Sequence, residues 1–236
     1  MPLPEHLEEQ VVVGMHDRGL LAFPDGGIQL KSGRQSPYYY NSRQSLSFSR
    51  ALDRSGQMSI ERQREFRRAL AGAYATKFSD IEAPFDHVFG KAQAVTASAG
   101  VGAYEAGFSY LWERVDEPGK SYGSHQKIEG DYEAGERVLI GDNVITDGKS
   151  KLEGSRTLRD VGLVPVAVTL EFDREEGGVQ MLEDLGLEVN TVTSLSRATR
   201  YLLDNGRIDT AAVDALQAYH EGLRADGVVS TFHFEG

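Results

Sequence analysis

Residues 138–150 read VLIGDNVITDGKS: an apolar run, an acid beside an amide, two more apolar residues, then hydroxyls, a glycine and a lysine. The closing Gly-Lys-Ser invites a nucleoside-triphosphate P-loop, which needs a second glycine five positions before Gly148 so that the loop wraps a phosphate at a fixed arc length. That position is Asn143, and the nearest glycine, Gly141, is two residues too far. A different chemistry fits the spacing. Thr146, Asp147, Gly148, Lys149 and Ser150 open a helix, and backbone N–H groups at a helix start, with the two hydroxyls, form a nest for a phosphate monoester. Asp142 and Asn143 stand just before that nest, where they can hold two vicinal hydroxyls. The pattern suggests a ribose 5-phosphate cradle.

The stretch resembles the phosphoribosyl-pyrophosphate (PRPP) signature of type I phosphoribosyltransferases, and three further segments are similar to the orotate phosphoribosyltransferase branch. LKSGRQSPYYYN (Leu30 to Asn41) is similar to its Lys-Ser-Gly loop with two adjacent aromatics. FDREEGG (Phe172 to Gly178) resembles its Asp-Arg segment, with Arg174 thirty-two residues after Asp142, as in that family. KSYGSHQKIEG (Lys120 to Gly130) resembles its mobile loop with the catalytic lysine. The resemblance implies transfer of the ribosyl 5-phosphate of PRPP to N1 of orotate, giving orotidine 5'-phosphate and pyrophosphate in pyrimidine nucleotide biosynthesis. It implies Lys120, Asp142 and Asn143 as the catalytic set. PRPP would be bound by Lys31, Arg114, Lys120, Tyr122 and the run Asp142, Asn143, Val144, Ile145, Thr146, Asp147, Gly148, Lys149 and Ser150. Orotate would lie against Tyr39 and Tyr40, with Thr146 and Arg174. Mg²⁺ is the implied cofactor, held through PRPP and water rather than by direct protein ligands, and a homodimer with shared active sites is the implied assembly.

Four departures stand against the family pattern. The paired acids are here Asp142-Asn143, so one carboxylate has become an amide. In the loop after Phe89, GKAQAVTAS puts Gln93 and Ala94 at the usual Tyr and Lys, with Lys91 three residues before Ala94 as a potential substitute. Val115 follows Arg114 where a lysine is usual, and Tyr122 stands where an imidazole can sit. These losses keep the cradle, Arg174 and Lys120 but thin the grip on pyrophosphate. They leave two other readings open, a non-catalytic or regulatory nucleotide-binding protein on the same fold and a phosphoribosyltransferase for another base.

The elements that must position these residues follow from apolar periodicity. DHVFG, FSYLW, RVLIG, VPVAVTLEF and LEVNTVTSL read as buried strands separated by helical stretches, the rhythm of an α/β fold whose mostly parallel sheet carries helices on its faces. Ligands gather at the carboxyl ends of such strands, in the loops after Phe89, Trp112, Ile140 and Phe172. Glu5 to Gly19 and Ser59 to Phe78 read as amphipathic helices, Ser59 capping the second, and Arg197 to Asp226 as two helices broken near Gly206. We expect one domain over residues 1–236: an N-terminal hood (1–58), the core (59–196) and C-terminal helices with a tail (197–236).

Composition narrows the partners. With 236 residues and a net charge of -11, a protein bound mainly through a nucleic-acid backbone is disfavoured, and Arg62, Arg64, Arg67 and Arg68 read as a solvated or interface face of their helix. No cysteine is present, which removes disulfides and thiolate metal sites. The six histidines lack metal-ligand spacing, and only His125, in the loop after Lys120, invites a test. The first residues carry acids where a signal peptide carries positive charge, and no apolar stretch approaches the length of a bilayer span, so the expectation is a cytoplasmic protein with neither nucleic-acid nor membrane partners.

Overall fold

The computed structural model describes residues 3–30, 33–44, 59–91, 95–114, 127–146 and 149–234, with only the backbone at 44 and 149–153. In chain order the elements are α1 (Glu5–Asp17), β1 (Leu21–Ala22), β2 (Ile28–Gln29), β3 (Gln35–Ser36), β4 (Tyr39–Tyr40), α2 (Ile60–Ser79), β5 (His87–Gly90), α3 (Thr96–Ala106), β6 (Ser109–Glu113), β7 (Ile128–Glu129), β8 (Arg137–Ile145), α4 (Lys149–Asp160), β9 (Val164–Asp173), α5 (Gly178–Glu183), β10 (Glu188–Ser194), α6 (Leu195–Asp204) and α7 (Thr210–Ala225).

Six strands form the main sheet in the order β10-β9-β8-β5-β6-β7. All neighbours are parallel except the edge pair β6-β7. β7 is only two residues long and sits among polar residues, so no apolar run announces it. The sheet is covered on both faces, as a parallel sheet requires. One core gathers α1, α2, α3 and α6 side chains around Leu139 and Phe172, and the other packs Leu158 of α4 and Leu182 of α5 against Val138, Ile140 and Val168.

The longest helix shows how sequence makes structure here. Ser59 caps α2 by accepting a hydrogen bond from the Arg62 N–H at 3.2 Å. Phe66, Leu70, Tyr74 and Phe78, four apart, form its buried stripe, each burial contributing about 1.5–3 kcal/mol. Arg62, Arg64 and Arg68 are exposed and Arg67 is half-buried.

Two strand ends run further than expected. The polar pair Asp142-Asn143 suggested that β8 stops near Gly141, but the strand continues to Ile145, paired with β9, which continues to Asp173. On its other side β8 loses its partner, because β5 ends at Gly90, opposite Gly141. The chain leaves β5 toward β6 and leaves β8 toward β9, so β5 and β8 flank the point where the strand order reverses. A crevice at that point is where such a sheet binds ligands. Over it lies the N-terminal region, whose β1-β4 ribbon sets Tyr40 on Phe172 of β9, ring centroids 4.6 Å apart.

Candidate functional site

The unpaired edge of β8 presents Asp142 and Asn143 at the crevice. Asp142 is buried and turns its Oδ1 back to accept the Asn143 N–H at 2.7 Å, which fixes the carboxylate beside the backbone. Asn143 is half-buried, and its Nδ2 donates to Ser42 Oγ at 3.0 Å. Ser42, fully buried just after β4, also hydrogen-bonds the Tyr40 hydroxyl. That hydroxyl reaches Glu171 Oε1 at 2.5 Å, and Glu171 Oε2 lies 3.1 Å from the Tyr74 hydroxyl. Tyr74 in turn stands 3.1 Å from the Asp142 carbonyl oxygen. Burial pushes the Glu171 carboxyl up to about 7; hydrogen bonds from Tyr40 and Tyr74 oppose the rise and the nearby Asp142 adds to it. Burial likewise raises the Tyr40 and Tyr74 phenols, so both stay protonated.

After Ile145 the chain enters the expected phosphate nest. Thr146 is exposed at its start, and α4 begins at Lys149. Asp147 and Gly148 lie outside the described residues, as do the side chains of Lys149 and Ser150. α5 approaches closely from the other side: a methyl group on Gly178 would lie 2.5 Å from the Thr146 carbonyl oxygen and against Ile145. Only a residue without a side chain fits there. Lys91, at the end of β5, runs along α4, where Gly154 leaves room for its stem; a Cβ on that glycine would meet Lys91 Cδ at 3.1 Å. Gln93 and Ala94 lie outside the described residues.

The loop after β9 holds the charge expected for a base. The Arg174 backbone N–H bonds the Ile145 carbonyl at 3.2 Å, tying this loop to the entry of the nest. Its guanidinium is buried, 4.5 Å over the Tyr38 ring, and Nε donates to Glu176 Oε1 at 2.9 Å. Its Nη2 is buried with no hydrogen-bond partner among the described residues. The next residue, Glu175, takes a left-handed φ of 59°, a conformation an L side chain rarely adopts. It is held there from two directions: its carboxylate accepts the Ser196 N–H and Oγ–H at 2.8 and 2.7 Å, and its carbonyl accepts the Thr231 N–H at 3.0 Å. The C-terminal segment behind Thr231 packs on α7, where His220 bonds Ser230 at 2.7 Å and stacks on Phe232. Burial lowers His220 to about 3, so it stays neutral.

Among the other expected residues, Tyr39 is half-buried and Tyr40 nearly fully buried, so Tyr40 underlies the site with its hydroxyl engaged. Val144 is half-buried and Ile145 buried within β8. Arg114 follows β6, its Nη1 3.3 Å from Glu129 Oε1 and its N–H bonded to the Lys127 carbonyl. Lys31, Val115, Lys120, Tyr122 and His125 lie outside the described residues. Sequence reasoning passed over Tyr38, Ser42, Tyr74 and Glu171. Glu171 carried a signal, a lone acid inside the apolar run VPVAVTLEF; the other three read as ordinary core or loop residues. Among the described residues no group of three or more His, Asp or Glu is placed to hold a metal ion, and no helix is long and apolar enough to cross a membrane.

No family model matches the chain. It is 31% identical over 217 residues to the orotate phosphoribosyltransferase of Thioalkalivibrio sulfidiphilus, covering 86% of this chain and 93% of that protein. The chain belongs to the orotate phosphoribosyltransferase family. Pseudomonas putida has a relative of the same name, 30% identical over 219 residues with 93% of it covered. The family also accounts for a match to the uridine 5'-monophosphate synthase of Caenorhabditis elegans, 29% identical over 189 residues, of which the chain spans only 34%. In solved structures the fold recurs in the Leishmania donovani UMP synthase (TM-score 0.73, 23% identity, 90% of this chain, 42% of that one). It recurs again in the Francisella tularensis orotate phosphoribosyltransferase (TM-score 0.64, 21% identity, 89% of this chain, 94% of that one). Orotate phosphoribosyltransferases thus share the type I phosphoribosyltransferase architecture described above.

Proposed function

We propose that this chain is an orotate phosphoribosyltransferase, forming orotidine 5'-phosphate and pyrophosphate from PRPP and orotate. The observation that carries the base assignment is Arg174, a buried guanidinium whose Nη2 has no hydrogen-bond partner among the described residues, beside the entry of the phosphate nest. A buried donor without a partner is costly, and the carboxylate of a flat pyrimidine relieves that cost with a charge-assisted bond.

In this reading the C1'–pyrophosphate bond breaks as the bond from N1 of orotate to C1' forms; N1 gives up its proton to water, and the electron pair of the broken bond leaves with pyrophosphate. Positive charge develops on the ribose while negative charge develops on the leaving group, so both must be stabilised together. The N–H groups of the nest from Thr146 to Ser150 hold the 5-phosphate. Asp142 and Asn143 hold the ribose hydroxyls, Asp142 also placing a negative charge near the cationic ring. Arg114, Lys31, Lys120 and Tyr122 serve the pyrophosphate end. The protein oxygens at the clamp, one carboxylate and one amide, are hard acceptors that would orient Mg²⁺-bound water, the ion itself being held through PRPP and water rather than by direct protein ligands. When bound, Mg²⁺ would supply positive charge to offset the negative charge developing on the pyrophosphate.

The assembly proposed is a homodimer with sites shared between subunits. The supporting feature is a set of exposed apolar side chains on the adjacent elements α3 and β6, Val101, Tyr104 and Trp112, which are 40%, 83% and 41% exposed. Cytoplasmic residence is proposed on the composition alone.

Mixing protein, Mg²⁺, PRPP and orotate and following orotate absorbance tests the activity. Orotate consumption that Lys120→Ala abolishes supports the enzyme. PRPP-induced thermal stabilisation without any turnover supports the non-catalytic binding protein instead, the reading to which the amide at Asn143 lends its weight.

A further inference from the structure

Six groups at the crevice form a closed ring. From Asn143 the contacts pass to Ser42, Tyr40, Glu171, Tyr74 and the Asp142 carbonyl, which is covalently joined to Asn143. We propose that Glu171 is a positioning residue which, in its protonated form, completes this ring and so locks the aromatic floor of the base site to the ribose clamp.

Counting protons leads there. Asn143 Nδ2–H donates to Ser42, the Ser42 hydroxyl to Tyr40, and the Tyr40 hydroxyl to Glu171 Oε1. Tyr74 then has one proton and faces two acceptors, Glu171 Oε2 and the Asp142 carbonyl, each at 3.1 Å. A phenol cannot donate fully to both. With a proton on Oε2, Glu171 donates to Tyr74, Tyr74 donates to Asp142, and each of the contacts holds one hydrogen. With Glu171 ionised, the carboxylate draws the Tyr74 proton to itself and the bond from Tyr74 to the Asp142 carbonyl is given up. Burial, aided by the nearby Asp142, raises the Glu171 titration to about 7 against the opposing hydrogen bonds from Tyr40 and Tyr74, which brings the neutral acid within reach at ordinary pH. The titratable groups that face Glu171 are Tyr40 from β4, Tyr74 from α2 and Asp142 from β8; the two phenols stay neutral across the range concerned.

The inference deepens the proposed reaction and rests on it for its kinetic arm. Wild type, Glu171→Gln and Glu171→Leu are compared from pH 5.5 to 8.5 with PRPP saturating, so that titration of its phosphates stays out of kcat/KM for orotate. Glutamine reproduces the neutral acid, its carbonyl accepting from Tyr40 and its amide donating to Tyr74. The expected result is a fall in wild-type kcat/KM of about five-fold through pH 7, the worth of one hydrogen bond. Glu171→Gln should stay on the low-pH plateau throughout, and Glu171→Leu at or below the high-pH level. A wild-type step that persists in Glu171→Gln, or no step at all, overturns the proposal and leaves the reaction untouched. A second arm needs no turnover: near-ultraviolet circular dichroism of the free protein should show a tyrosine transition near pH 7 that Glu171→Gln removes. If wild type consumes no orotate, the reaction fails, while that transition still supports or refutes the ring.

Discussion

Restoring the second acid of the clamp, Asn143→Asp, puts the reaction and its electrostatics to the sharpest test. The substitution does two opposed things. It adds a negative charge next to the ribose, where positive charge grows in the transition state. At a separation of roughly 5 Å and an effective dielectric near 20, such a pair interacts by about 3 kcal/mol, and the half-exposed position reduces this to about 1–2 kcal/mol. That corresponds to a rise in kcat of roughly 5- to 30-fold. It also replaces a donor by an acceptor: Asn143 Nδ2 now donates to Ser42 at 3.0 Å, whereas an aspartate must take the Ser42 proton and remove it from Tyr40. The ring loses one link, about 1 kcal/mol, so the KM for orotate should rise about 5-fold. The gain in kcat should appear toward high pH, because the adjacent Asp142 carboxylate raises the titration of the new acid. Steady-state kinetics from pH 6 to 8.5, varying each substrate with the other saturating, separates the two effects. A kcat that is unchanged or lower at every pH, in a variant that still binds PRPP, refutes the electrostatic reasoning and makes the amide the functional choice.

Other perturbations read neighbouring parts of the site. Arg174→Gln should raise the KM for orotate by roughly 10- to 100-fold, the loss of a charge-assisted contact, with the KM for PRPP nearly unchanged; equal loss on both substrates would place Arg174 in the scaffold rather than on the base. Gly178→Ala forces a methyl to within 2.5 Å of the Thr146 carbonyl, so it should cost about 1–3 kcal/mol in urea denaturation and raise the KM for PRPP more than that for orotate. Stability should also depend on pH. Glu171 is pushed up to about 7 and Asp173 to about 6, chiefly by burial, so the native state takes protons more readily than the unfolded chain. Their contribution is fully present below about pH 4 and is lost as pH rises through 6 and 7, on the order of 3 kcal/mol for Glu171. Urea midpoints measured from pH 5 to 8 should decline, and Glu171→Gln should flatten the upper part of that decline.

Local pattern and remote pairing divide what the sequence makes legible. The five parallel strands are apolar runs because both faces of the sheet are covered, and α2 shows its stripe and its Ser59 cap directly. The same reasoning stops β8 too early: Asp142 and Asn143 look like loop residues by polarity, yet they remain in the strand because β9 still supplies pairing partners on one side. Their polarity reflects the missing neighbour on the other side, where β5 has ended. A polar pair at the end of a buried strand thus marks the open edge of a crevice rather than the end of the strand.

The ring around Glu171 was out of reach for a different reason. Its contacts join residues 131 and 97 positions apart, and a tyrosine in an amphipathic helix reads as core whichever group its hydroxyl meets. What the sequence does display is the cost: an acid between Leu170 and Phe172 in a strand otherwise built for burial. A fully buried acid is retained only where partners meet both oxygens, and here the partners are Tyr40, of the proposed base floor, and Tyr74, which also meets the Asp142 carbonyl. Asn143 stands where the resembled family pattern has a second carboxylate, and its amide is the donor that starts the chain of hydrogen bonds in the proposed ring. The amide and the buried acid therefore act as one unit, and the double variant Asn143→Asp, Glu171→Gln should depart from the sum of the single changes, since each alters a link in the same chain.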